Sequence, residues 1–300
     1  MKRNIFRAAS FVFVFAAFAI GQGNAKPSTV ALDERVKAEV AKFDGKVWIY
    51  AKNLDTGKEY SLRGDEQVRT ASTIKLPIMT EVFRQVAEGK IAWTDEFTIE
   101  KGKTSGGSGI LGEFSNGTKI DLKTAVNLMI VLSDNTATNL VLEKVTSNAV
   151  NDHMAKLGLN DTLSLRKIGG GGDATAWDVP LNRLFGIGRS SPKDMVRLLE
   201  MLENGEVVSK EASAEMIAIL RRQQYKDGIG RNVFDTVPVA SKSGALDRLR
   251  SDVGIVYTRR GRIAMAITVD DMSVIHYTTD DIGSLLIWRL SQLLQEGLAK

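Results

Sequence analysis

The chain has 300 residues, of which 43% are hydrophobic and 25% charged, proportions that exclude disordered and fibrous architectures. It contains no cysteine and only two histidines, which excludes disulfides, thiol nucleophiles and iron–sulfur clusters and argues against a catalytic zinc. The formal net charge of +4 is too small, and too evenly spread, for a nucleic-acid surface.

Part of that charge belongs to the N-terminus. Lys2, Arg3 and Arg7 form a basic head and Ala8 to Ile20 an apolar stretch, and Gly23-Asn24-Ala25 ends in a small-x-small pattern. The apolar stretch is shorter than the roughly 20 residues of a spanning helix. Residues 1–25 are therefore expected to be a cleavable signal peptide, giving a secreted or periplasmic protein without stable membrane insertion. Removing the segment leaves 37 basic against 36 acidic residues, a net +1.

An amphipathic helix follows over Leu32 to Phe43, then a hairpin of Lys46–Asn53 and Glu59–Leu62 around Asp55-Thr-Gly57. Helical patterns then dominate: Ser72–Glu88, Asp121–Leu132, Thr136–Val145, Ser147–Leu157, Ser191–Leu202 and Ser209–Gln223. Ser191-Pro192 reads as a cap followed by an N1 proline, and Ser209 as a cap ahead of Glu211. Strands return at Val237–Ser241, Val253–Tyr257 and Ile263–Val269, before an apolar helix over Ile282 to Leu294. Strands at both chain ends and helices between them predict an α+β fold. The expected architecture is an antiparallel sheet built from residues 26–70 and 207–300 and flanked by terminal helices. An all-helical domain, 71–206, is inserted, leaving a cleft between the parts. Two glycine-rich stretches interrupt the helices. Lys103–Gly109 reads as a flexible loop, and Ile168–Gly172 lies in a long irregular segment, 160–190, of a length usually tied to function.

Three short motifs carry candidate chemistry. In Ser72-Thr-Ile-Lys75, a helix would place Lys75 one turn from Ser72, where a partly desolvated amine could take the serine proton. Two other Ser-x-x-Lys matches, at Ser164 and Ser190, show that this motif alone is weak. Ser133-Asp134-Asn135 sits at a break between apolar helices, where it could relay a proton and bind an amide or simply cap the next helix. Lys242-Ser243-Gly244 ends an apolar strand, offering positive charge, a hydroxyl for a carboxylate and room for a close approach.

The order and spacing of the three motifs resemble the class A β-lactamases and their penicillin-binding relatives, over nearly all the chain from Leu32 onward. The resemblance implies a β-lactamase/transpeptidase-like fold and a covalent acyl-enzyme on Ser72, with Lys75 as its proton partner. It implies that Ser133 protonates the leaving nitrogen, that Asn135 holds a side-chain amide, and that Lys242 and Ser243 bind the substrate carboxylate. Gly244 would let substrate approach, and the backbone N–H groups of Ser72 and Ala245 would form the oxyanion hole. Arg248 and Arg250 are candidate further carboxylate contacts. Neither cofactor nor metal is implied, and a monomer is expected.

One departure bears on activity. Class A β-lactamases carry Trp-Glu-x-x-Leu-Asn, whose glutamate activates the deacylating water; here the segment is Trp177-Asp178-Val-Pro-Leu181-Asn182. Asn182 is a candidate substrate contact; Asp178, the candidate base, is one methylene short, and a misplacement near 1 Å costs about a hundredfold. Three functions follow. The leading one is hydrolysis of β-lactams. The second is a D,D-carboxypeptidase acting on peptidoglycan stem peptides, with slow release of β-lactams. The third is a non-catalytic β-lactam sensor.

Overall fold

The computed structural model describes residues 28–171, 174–233 and 235–299; the expected signal peptide lies outside them. The chain opens with α1 (Ser28–Val40), β1 (Lys46–Asn53), β2 (Glu59–Leu62) and the short β3 (Val68–Arg69). A 3-10 turn, Ala71–Ile74, leads into α2 (Lys75–Ala87), and β4 (Glu96–Thr98) pairs with β5 (Lys119–Asp121). Next come α3 (Leu122–Val131), α4 (Asn135–Val145), α5 (Ser147–Lys156), β6 (Leu163–Ser164) and β7 (Gly188–Ser190). The chain closes with α6 (Pro192–Asn204), α7 (Lys210–Leu220), β8 (Val239–Leu246), β9 (Leu249–Thr258), β10 (Gly261–Asp270) and α8 (Ile282–Gly297).

The expected sheet is present, with strands in the order β2-β1-β10-β9-β8 and all four neighbouring pairs antiparallel. Its two faces are apolar for the same reason: strand side chains alternate with period two. On β9 and β10, Val253, Ile255, Ala264 and Ala266 face the helices and join the core formed by α2 to α7. Val256, Ile263, Met265, Ile267 and Val269 face the other way, onto Leu32 and Val36 of α1 and Leu286, Leu290 and Leu294 of α8. One sheet is thus the shared wall of two cores.

Helix boundaries follow their caps. Ser191 accepts from Asp194 N and Ser209 from Ala212 N, while Gly205 closes α6 at φ 74°, a conformation open to glycine. His153 is buried in the helical core with Nδ1 3.2 Å from Glu81 Oε2, in keeping with an ordinary core residue.

Candidate active site

The nucleophile candidate does not open an α-helix as its spacing predicts. Ser72 lies in the 3-10 turn, and α2 begins at Lys75. Two local features impose this. Ala71 is held at φ 46°, a costly conformation for a residue with a Cβ, and the Thr73 hydroxyl donates back to Thr70 O at 2.8 Å. Behind the turn Thr70 N donates to Gly188 O, so the end of the 160–190 segment braces it.

Strand β8 brings the third motif against the same turn. A Cβ on Gly244 would sit 2.8 Å from Ser72 N and 2.9 Å from Thr70 O, so only glycine lets the strand come this close. Because β8 is the outer strand, alternate backbone groups along Lys242-Ser243-Gly244-Ala245 face away from the ladder. Ser243 is half-buried and Ala245 exposed on that edge.

Ser133 stands between the two lysines. Its backbone is at φ 52°, which turns its carbonyl toward Lys75 Nζ, 2.6 Å away. Its hydroxyl oxygen is 3.1 Å from Lys75 Nζ and 3.1 Å from Lys242 Nζ. Lys75 also donates to Asn135 Oδ1 at 2.9 Å, and Lys242 to Ser243 O at 2.7 Å. Both lysines are fully buried. Burial, reinforced by the charge of Lys242, holds the Lys75 amine well below the ordinary lysine range. Burial brings Lys242 down to about 7, opposed by the Asp252 carboxylate. The Ser133 hydroxyl oxygen thus lies between two buried amines, each within hydrogen-bond distance.

Asp134 is the pin beneath this arrangement. Oδ1 caps α4 through Ala137 N, while Oδ2 accepts from Ile110 N and Leu111 N at 2.7 and 2.9 Å. Asn135 Nδ2 donates to Gly106 O, and Asn135 N to Ser108 O. The glycine-rich stretch read as a flexible loop is therefore a wall of the site. A Cβ on Gly109, at φ 101°, would fall 2.1 Å from Asp134 Oδ2, and only glycine fits there. The signal in the sequence was the glycine run itself; its partner could not be read from spacing.

Other expected residues are not brought in. Asp178 is exposed and, among the described residues, makes no hydrogen bond or ion pair with Ser72, Lys75 or Asn182. It lies at the end of a 3-10 turn whose continuation points Val179, Leu181 and Leu184 outward, at 51%, 59% and 71% exposure. Asn182 is buried, but its Nδ2 donates to Ala176 O and its Oδ1 accepts from Arg189 Nη1 at 2.8 Å. Its amide is thus spent within the loop.

Arg250 is a correction. It shares the β9 face of Val256 rather than that of Val253, so it lies beneath α8, where Gly283 packs on its stem. Its guanidinium donates to Leu246 O, Leu249 O and His276 O and pairs with Asp281 at 3.3 Å, leaving it buried and committed. Arg248, exposed in the β8–β9 turn, donates to Met272 O at 2.8 Å, away from Lys242. Among the described residues no group of acidic or histidine side chains could hold a metal, and no helix is long and apolar enough to cross a membrane.

The fold is shared with solved structures. The chain is similar to a β-lactamase from Sphaerobacter thermophilus at 30% identity and a TM-score of 0.77, covering 89% of this chain and 97% of that one. It is similar to PBP-A at 24% identity and a TM-score of 0.75, covering 89% and 95%. Among curated proteins it is 25% identical over 215 residues to β-lactamase SME-1 of Serratia marcescens, 70% of this chain and 69% of that protein. The model of the "Beta-lactamase enzyme family" matches residues 31–298, and with all three motifs gathered at one point the chain belongs to that family.

Proposed function

We propose that the protein is an exported serine hydrolase, acylated at Ser72 by β-lactams and by peptides ending in D-Ala-D-Ala, that releases a penicilloyl group slowly. The observation that carries the acylation half is the buried Lys75–Ser133–Lys242 chain beside the Ser72 turn. In this reading the neutral Lys75 amine takes the Ser72 proton as Oγ attacks the ligand carbonyl. The backbone N–H groups of Ser72 and Ala245 hold the oxyanion. As the tetrahedral intermediate collapses, the Ser133 hydroxyl gives its proton to the leaving nitrogen and is reprotonated from the lysine side. Lys242 and Ser243 hold the ligand carboxylate, and Asn135 its amide.

Slow release is supported by the exposure of Asp178, the candidate base, and by the commitment of Asn182, the candidate substrate contact, to Arg189. That favours the peptidase reading over rapid β-lactam hydrolysis. Intact-protein mass spectrometry with a modest excess of benzylpenicillin, with free drug assayed alongside, tests it. A persistent one-equivalent adduct while most drug survives is expected. Catalytic consumption of the drug with a fleeting adduct overturns slow release and makes the protein a β-lactamase. Ser72→Ala abolishes the adduct; labelling that survives overturns the nucleophile.

A further inference from the structure

The motif site is bordered on two sides. On the Asn135 side, Asn139 exchanges hydrogen bonds with Ile168, so the 160–190 segment borders that flank. On the Ser133 side runs the segment after α7. The buried Gln223 donates to Ile130 O, and Gln224 N donates to Val131 O, at the last turn of the helix leading into Ser133. Tyr225 comes next, its N–H held by Gln223 Oε1 at 3.0 Å. Its hydroxyl lies 3.2 Å from Ser108 Oγ, which in turn donates to Leu132 O, the residue before Ser133. Backbone and hydroxyl are both fixed, yet the residue remains 41% exposed.

The ring is held at its backbone and at its hydroxyl while the residue stays 41% exposed, so it presents a fixed, partly exposed apolar surface linked through Ser108 to the residue before Ser133. We propose that Tyr225 is a specificity-determining residue for the leaving half of the ligand, its ring packing against apolar substituents next to the departing nitrogen. This rests on the acylation reading above. A fused, methyl-bearing ring, as in a penicillin, would cover the face; a small, polar leaving group would not.

The test compares second-order acylation of the full-length mature protein by two probes with the same phenylacetyl side chain. One is benzylpenicillin. The other is a phenylacetylglycyl thioester with a thioglycolate leaving group, which keeps a carboxylate but lacks the apolar ring. Tyr225→Ala slows acylation by benzylpenicillin about tenfold, the scale of one lost apolar contact surface, and leaves the thioester within about twofold. Tyr225→Phe keeps the ring and stays near wild type for both. Equal losses on both probes, or none, overturn the proposal by making the residue structural or idle. A fall in Tyr225→Phe as large as in Tyr225→Ala overturns it by assigning the effect to the Ser108 hydrogen bond. If neither probe acylates the wild-type protein, the acylation reading itself falls, which distinguishes that failure from this one.

Discussion

The turn at Ser72 and the loop at Asp178 have opposite designs. Beside Ser72 the amines of Lys75 and Lys242 are each held by more than one partner, and both lysines are wholly buried. Around Asp178 the chain turns large apolar side chains outward and ties its one buried amide to an arginine. The first arrangement is costly, because two amines are buried where burial disfavours their charged forms. Such a cost persists where the site has a use for it. The second lacks any comparable arrangement around its carboxylate. On the proposed reading, making an acyl-enzyme and dissolving one rest on separate parts of the structure, the buried lysine pair and the loop at Asp178.

That asymmetry can be broken or sharpened experimentally. The largest effect is expected from Lys75→Ala, which removes the base and should slow acylation by about a thousandfold; stopped-flow or mass-spectrometric labelling checks it, and an unchanged rate would move the base elsewhere. Gly244→Ala forces a Cβ to within 2.8 Å of Ser72 N. It should cost about a hundredfold in acylation through displacement of the strand, visible in the same assay.

The pH profile is the next expected effect, and its limbs have opposite signs. Lys75 works as the neutral amine, so acylation falls on acidification through its depressed value. Lys242 works as the cation, so acylation of the free enzyme also falls as pH rises through about 7. A bound carboxylate favours the charged form, which should move the alkaline limb upward at saturating ligand. A flat profile between pH 6 and about 9 would remove both assignments.

The smallest effects should lie in the loop. Asp178→Ala should leave acylation and release within about twofold of wild type, since the carboxylate touches none of the reacting groups. A collapse of release would show that the loop rearranges to bring it in. Arg189→Met frees Asn182 Oδ1 and should change release without changing the rate of labelling, a split that single-turnover measurement resolves.

Much of this was legible in the sequence. Alternation and helical periodicity are direct consequences of burial, so the sheet from both chain ends, the caps at Ser191 and Ser209, and the three motifs could be read from residue order. What escaped depended on geometry that spacing does not encode. Arg250 follows the third motif closely, but strand parity places it with Val256 on the α8 face, and parity becomes readable only once β9 is known to start at Leu249. The glycines at 107 and 109 signalled freedom, whereas the fold uses their lack of side chains to press the loop onto Asn135 and Asp134. The Ser72 turn tightened to 3-10 because of Ala71, whose strained φ has no sequence signature.

The register of the sheet has one more consequence. β1 pairs with β10, Lys46 opposite Asp270, so the first strand made must wait for nearly the last. The helices between them make short-range contacts around their own core and can collapse while the rest of the chain is still arriving. Lys242 reaches Ser133 only when β8 joins that late-closing sheet. The Ser133–Lys242 contact thus joins the helical part of the chain to the edge strand of the sheet. On the proposed reading, a chain ending before β8 would carry Ser72 and Lys75 without Lys242, so covalent labelling would report a completed sheet as well as an intact motif.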